Sequence, residues 1–195
     1  MAMRVGILKR SALIVVDVQN DFMPGGSLPV PDGDKVVQPL NKVIKEFQVR
    51  KLPMFFTRDW HPPNHMSFKE RGGPWPPHCV QGTEGAEFHP DLLVPEEAII
   101  ISKATEPDKE AYSGFEGTEL KRMLREREVR RLFIGGVATD YCVRATVLDG
   151  LRLGFEVIVL EDAVRGVAKE TTEKALREIV LSGAILARTD ELLFE

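Results

Sequence analysis

Ala12-Leu13-Ile14-Val15-Val16-Asp17 decides the architecture. Five apolar residues run without a polar break and stop on an acid. A half-buried strand alternates apolar and polar residues, so an unbroken run marks a strand covered on both faces, as in parallel sheets flanked by helices. Similar runs recur downstream at Pro53 to Thr57, Ala98 to Ser102, Leu132 to Ile134 before Gly135-Gly136, Phe155 to Leu160, and Ala184 to Ala187. Between them apolar residues fall at helical spacing. Val36, Val37, Leu40, Val43, Ile44 and Phe47 predict one helix, with Asp34 as N-cap and a tighter turn ahead of Pro39. Leu120, Met123 and Leu124 predict a short one. Val143, Val147, Leu148 and Leu151 predict a third, ended by Gly154, and Ala175, Leu176, Ile179 and Val180 a fourth. This alternation predicts a three-layer α/β/α fold with a mainly parallel sheet, in one domain spanning residues 1–195.

One stretch breaks the rhythm. Arg58 to Glu96 has few periodic signals, many prolines and glycines, all four histidines and both tryptophans. Long irregular segments inside compact domains are usually functional or disordered. The concentration of ligand-type and aromatic side chains predicts function.

Composition narrows the classes. The 26 basic and 30 acidic residues leave a net charge of −4, which argues against nucleic-acid or anionic-membrane partners. The dense basic cluster Arg125 to Arg131 is interleaved with Glu126 and Glu128 and reads as a solvated helix face. No apolar run approaches the ~18 residues of a membrane span. Met1 to Ser11, with Arg4, Lys9 and Arg10, lacks the apolar core of a secretion signal. A cytoplasmic location and free thiols at Cys79 and Cys142 are therefore expected.

The reactive residues fall where the strands end. Asp17 follows the first run, Asp59 and His61 the second, Lys103 the third, and Cys142 the fourth. Open α/β sheets bind ligands at the carboxyl ends of their strands, so an acid, metal-ligand types, an amine and a thiol converge on one edge. Asp59-Trp60-His61 sets two ligand-type side chains on one face of an extended segment. His78 from the loop makes a third. One carboxylate and two imidazoles suit one divalent metal, zinc first, with iron or manganese as alternatives, and leave a position open. His65 and His89 read as residues that hold the loop together. Cys142 sits on a turn entering a helix, where the helix dipole and nearby Lys103 are expected to lower its pKa. Asp17 is then the group to take the thiol proton, and turn amides supply an oxyanion hole. Cys79 reads as a packing residue.

With these residues in place a resemblance emerges. Asp17-Val18-Gln19-Asn20-Asp21-Phe22, Asp59-Trp60-His61-Pro62, Trp75-Pro76-Pro77-His78-Cys79-Val80-Gln81-Gly82-Thr83 and Gly136-Val137-Ala138-Thr139-Asp140-Tyr141-Cys142-Val143 resemble the isochorismatase-like hydrolases. The Trp75 block and Ala111-Tyr112-Ser113-Gly114-Phe115 point within them to nicotinamidases. The resemblance implies the isochorismatase-like (Rossmann-like) fold and an Asp17–Lys103–Cys142 triad. It implies a metal on Asp59, His61 and His78, and an oxyanion hole at the backbone N–H groups of Ala138 and Cys142. It further implies a cis Val137–Ala138 bond and a ring pocket of Phe22, Trp75 and Tyr112. The implied partner is a small molecule, nicotinamide, cleaved to nicotinate and ammonia through a cysteine thioester, with pyrazinamide as a second substrate. Rival readings are an isochorismate or N-carbamoyl hydrolase on the same fold, or a non-catalytic binding protein. A structural zinc module is disfavoured, because no Cys-x-x-Cys pair is present. This fold often assembles through its helices, so a homo-oligomer is compatible with it.

Overall fold

The run that opens the sequence becomes the strand on which the main sheet is built. The computed structural model describes residues 5–7 and 9–194. Of the basic N-terminal stretch considered above, Met1 to Arg4 lie outside the described residues. The strands are β1 (Val5–Ile7), β2 (Ser11–Val16), β3 (Met54–Asp59), β4 (Ile99–Lys103), β5 (Arg131–Val137), β6 (Glu156–Arg165), β7 (Ile185–Ala187) and β8 (Leu192–Phe194). Six of them form one sheet in the order β4-β3-β2-β5-β6-β7, and each neighbouring pair is parallel.

Four helices cover this sheet: α1 (Val37–Val49), α2 (Leu120–Glu126), α3 (Arg144–Arg152) and α4 (Lys169–Leu181). The pleat decides which helix meets which residue. Leu13 and Val15 pack with Leu40, Val43, Ile44 and Phe47 of α1. Ala12, Ile14 and Val16 point the other way, into a core with Leu120 and Leu124 of α2, Val147 of α3, Ile179 of α4, and Val143 just ahead of α3. The expected three-layer α/β/α fold is present, and β2 is buried along its whole length because both faces are covered.

Local details differ from expectation at three places. Asp34 does not cap α1. It lies inside a tight turn, Gly33–Val36, and α1 starts at Val37 with Pro39 in its first turn, where a missing N–H leaves no bond unmade. The tighter turn ahead of Pro39 is as the sequence suggests. Strands β1 and β8 were not anticipated. They pair as a separate two-stranded parallel sheet, Val5 opposite Leu192. The turn on which Cys142 enters its helix is present as expected, but it is π-helical, Thr139–Val143.

The seam between β2 and β5 is tight. Gly136 adopts φ +121°, and a Cβ there would lie 2.1 Å from the Val16 carbonyl oxygen. Only glycine tolerates both the dihedral and the approach. Gly136→Ala is therefore expected to lower stability by ~3 kcal/mol or more, because backbone rather than a side-chain tip must move. Denaturant titration tests this. A loss under ~1 kcal/mol would show that the two strands part easily.

Candidate active site

Strand order brings the candidate residues together. The carboxyl ends of β4, β3, β2 and β5 lie side by side. They carry Lys103 and Asp59 as their last residues, Asp17 one step past β2, and Cys142 in the turn after β5. Asp59 and Lys103 are register partners across β3 and β4. The order of strand placement switches sides at β2: β3 and β4 are laid down on one side and β5 on the other. Asp17 and Cys142 face each other across that switch point, the usual ligand crevice of an open α/β sheet.

Lys103 is the hub. Its Nζ is fully buried, lies 2.9 Å from Asp17 Oδ2, pairs closely with Asp59 Oδ1, and donates to Cys142 Sγ at 3.4 Å. Burial works against the ammonium, but the two carboxylates outweigh it and hold the Lys103 pKa well above the ordinary value. Asp17 Oδ1 also accepts a hydrogen bond from Thr57 Oγ1 at 2.7 Å. Burial raises the Asp17 carboxyl above its usual range despite Lys103. Asp59 feels burial too, yet Lys103 and His61 bring it below the usual value. The Cys142 thiol departs from the sequence-based expectation. Burial pushes it well above the ordinary thiol pKa; Lys103 works against this, and the neighbouring Asp17 and Asp59 add to it. A helix-end cysteine looks activated when only its chain neighbours are considered. Enclosed beside two carboxylates, it keeps its proton at rest.

The three candidate metal ligands are gathered on one side of this cluster. One ligand-type atom from each of Asp59, His61 and His78 lies within 4.8 Å of the other two. Trp60 turns the opposite way, its ring covered by the Arg58 guanidinium at 3.8 Å. His61 Nδ1–H donates to the His78 carbonyl at 2.9 Å, and His78 Nδ1–H donates to the Pro76 carbonyl at 2.8 Å. Such bonds fix the tautomer that leaves Nε2 with its lone pair. His61 Nε2 is buried and has no hydrogen-bond partner. An orphaned imidazole nitrogen beside a carboxylate and a second imidazole fits a divalent metal. Burial lowers the His61 pKa to about 4 and lowers that of His78 as well, so both rings are neutral near pH 7, as ligands must be. His65 is different. Nδ1 meets Ser67 Oγ at 2.7 Å and Nε2 donates to the Lys109 carbonyl at 2.9 Å, so both nitrogens hold the loop, and its ring stacks on His61. His89 Nδ1 accepts the Asp91 N–H.

A pocket opens above the cluster. Asp59, His78, Ala138 and Cys142 line it, walled by Phe22, Trp75, Tyr112 and Tyr141. Trp75 Nε1–H donates to Tyr112 Oη at 3.1 Å, which ties those walls together. Tyr141 packs edge-on against Trp75, with ring centroids 5.3 Å apart. Leu28, Pro29, Val30 and Val167 complete the rim. The Val137–Ala138 peptide is cis. Sequence reasoning passed over Tyr141 and Thr57. Tyr141 adjoins Cys142 in a quoted motif and could have been found there, whereas the Thr57 contact depends on strand register. Both cysteines are free, and Cys79 is buried as a packing residue.

Comparison with known proteins places this geometry. The isochorismatase domain model matches residues 11–191. The chain belongs to the isochorismatase family. Among isochorismatase-family members, the nicotinamidase of Escherichia coli (strain K12) is 39% identical over 198 residues, covering 90% of this chain and 93% of that protein. The crystal structure of the pyrazinamidase of Pyrococcus horikoshii in complex with zinc is 59% identical, with a TM-score of 0.90, covering 92% of this chain and 99% of that one. The structure of PnC1 from L. infantum in complex with nicotinate is 35% identical, with a TM-score of 0.92, and covers all of both chains.

Proposed function

We propose that the protein is a nicotinamidase, hydrolysing nicotinamide to nicotinate and ammonia, and that it also accepts pyrazinamide. The observation that carries this is the meeting of three features in one pocket: a thiol beside a buried Asp–Lys pair, two neutral imidazoles beside a carboxylate, and aromatic walls. The names of the similar proteins supply the amide and the ring.

In this reading Asp17 accepts the Cys142 proton as the sulfur attacks the carboxamide carbon. Lys103, held protonated by its carboxylates, steadies the thiolate 3.4 Å away. The backbone N–H groups of Ala138 and Cys142 receive the oxyanion. Asp17 returns its proton to the departing nitrogen, ammonia leaves, and a Cys142 thioester remains. Asp17 then takes a proton from water and the hydroxide oxygen adds to the thioester carbon; the C–S bond breaks, Asp17 returns that proton to the Cys142 sulfur, and the acid product loses its carboxyl proton to solvent and leaves as nicotinate. Phe22, Trp75, Tyr112 and Tyr141 confine a flat ring so that its carboxamide faces the sulfur, a contribution of orientation. Asp59, His61 and His78 would hold a divalent metal, zinc as in the Pyrococcus structure, which supplies a Lewis acid for the ring nitrogen when bound. No helix among the described residues is long and apolar enough to cross a membrane.

Ammonia release tests the reading. Purified protein is expected to release ammonia from nicotinamide and pyrazinamide, to lose most activity with a chelator, and to regain it with zinc. Aliphatic amides such as propionamide are expected to react at least ~100-fold more slowly, because they lack the ring that orients the carboxamide. No release from reduced, metal-loaded protein would sink the assignment and favour an N-carbamoyl substrate. Comparable turnover of propionamide would sink the role given to the ring.

A further inference from the structure

Between Asp17 in the charged cluster and Phe22 in the pocket wall, two side chains reach away from the pocket and grip the segments that bear the metal ligands. Gln19 is fully buried. Its Oε1 accepts the Asp59 N–H at 2.9 Å, and its Nε2 donates to the Asp59 carbonyl at 2.8 Å and the Ala86 carbonyl at 2.9 Å. The amide continues the ladder beside β3 where β2 has stopped. Asp21 grips the other segment. Its Oδ2 accepts the Cys79 N–H at 2.8 Å, while Oδ1 accepts from Ser27 N–H at 3.2 Å and Ser27 Oγ–H at 2.9 Å.

The position of Cys79 makes this grip consequential. Cys79 follows His78 directly and is held at φ 47°, a left-handed conformation that non-glycine residues adopt only when fixed from outside. Its carbonyl accepts the His61 N–H at 2.9 Å, so one residue joins Asp21 to His61 as well as to His78. The Asp21 carboxylate sits in a slot floored by Gly85, where a Cβ would fall 2.2 Å from Oδ2. Neither Gln19 nor Asp21 lines the pocket or belongs to the Asp59–His61–His78 group.

We propose that Gln19 and Asp21 are positioning residues that fix the spacing of Asp59, His61 and His78 and thereby set the affinity of the site for a divalent cation. This rests on those three residues being ligands. Gln19 holds Asp59 from one side, and Asp21 holds the His78–Cys79 turn from the other. Loss of either grip lets one ligand-bearing segment drift against the other, and the three-point site opens. The amide and the carboxylate act through backbone, so their loss changes metal affinity before it changes chemistry at Cys142.

The test measures Zn2+ affinity of the purified full chain by competition with a chromophoric chelator, and the visible spectrum of the Co2+-loaded protein. Asp21→Ala and Gln19→Ala are expected to lose ~10–100-fold in Zn2+ affinity, the usual range for outer partners of metal ligands, with an altered Co2+ band. Their kcat should largely recover at saturating zinc. Asp21→Asn keeps the shape but must turn an NH2 group toward one of two N–H donors, and should lose roughly 3–10-fold in affinity. Asn41→Ala is the control. Asn41 staples a loop in the same manner, to the Asp91 carbonyl and the Leu93 N–H, away from the site, and its variant should bind zinc like the parent. Folded Asp21→Ala and Gln19→Ala with parental affinity and Co2+ spectrum overturn the proposal. Should Asp21→Ala not fold, parental values in Asp21→Asn overturn it equally. A parent that binds no zinc removes the ligand reading as well, a result distinct from a parent that binds and variants that match it.

Discussion

Cys142→Ala is expected to lower nicotinamide hydrolysis by roughly 10⁴- to 10⁶-fold, the range seen when a nucleophile is removed and only binding and oxyanion contacts remain. Among the described residues Cys142 is the cysteine that both meets Lys103 Nζ and lines the pocket, since Cys79 does not line it. Alanine leaves Asp17 and Lys103 paired at 2.9 Å, so the charge arrangement persists without its nucleophile. The substitution removes a single small atom from a packed site, and stability should stay within ~1 kcal/mol of the parent. The variant should still bind nicotinate, seen as a rise in melting temperature with ligand. Quenched parent reactions should show an acyl adduct on Cys142 by mass spectrometry, and the variant none. Residual turnover within tenfold of the parent would show that water attacks directly and that the thioester route is wrong.

Lys103→Met should have the second largest effect, on stability as well as rate. Removing the ammonium leaves Asp17 and Asp59 buried together with no counter-charge. Deleting one partner of a buried pair typically costs ~3–5 kcal/mol, and metal-free protein should lose about that much at pH 7. The sign of the pH dependence follows from the shifts. Lys103 has a raised folded-state pKa, so its contribution is fully present at neutral pH and fades only as strongly alkaline pH carries it through that value. Below neutral pH the lysine is charged whether folded or not, so the change comes from the carboxylates. Without Lys103 they bind protons more readily in the folded state than in the parent, and the variant recovers as pH falls. The gap between parent and variant should therefore narrow steadily from pH 7 toward pH 4. Activity should fall by roughly 10²- to 10³-fold, as when a preorganised charge is deleted from a reacting centre. A constant gap across that range would mean that the carboxylates are not what Lys103 neutralises.

Much of this was legible in the sequence because the signals are local and redundant. The run Ala12 to Val16 and its later counterparts give the starts of β2 to β7 within one residue, although β5 runs three residues past Ile134 and β6 five past Leu160, and the strand ends point to Asp17, Asp59, Lys103 and Cys142. What escaped depends on tertiary contact. Strands β1 and β8 are three residues each and carry no alternation, and their pairing joins Val5 to Leu192. The Cys142 thiol was misjudged because the helix end and the converging lysine can be read from the sequence, whereas the burial that dominates its pKa depends on how the site closes over it. Asp34 was given a capping role by residue type, but the tight turn before Pro39 moves the helix start beyond its reach.

The strand order also divides the chemistry between two parts of the chain. Everything up to Lys103 supplies the charged groups and the imidazoles: Asp17, Asp59, His61, His78 and Lys103. The later part adds the sulfur and the turn that presents it. These contributions meet along one boundary, where Val16 lies against Gly136. A slip of that boundary by a single residue would leave each part internally intact, the first still a cluster of carboxylates, imidazoles and an amine and the second still a thiol on a turn. It would nonetheless carry the sulfur about 3 Å along the strand axis, out of reach of the amine and the acid. Reactivity in this protein is thus a property of alignment between two separately harmless pieces.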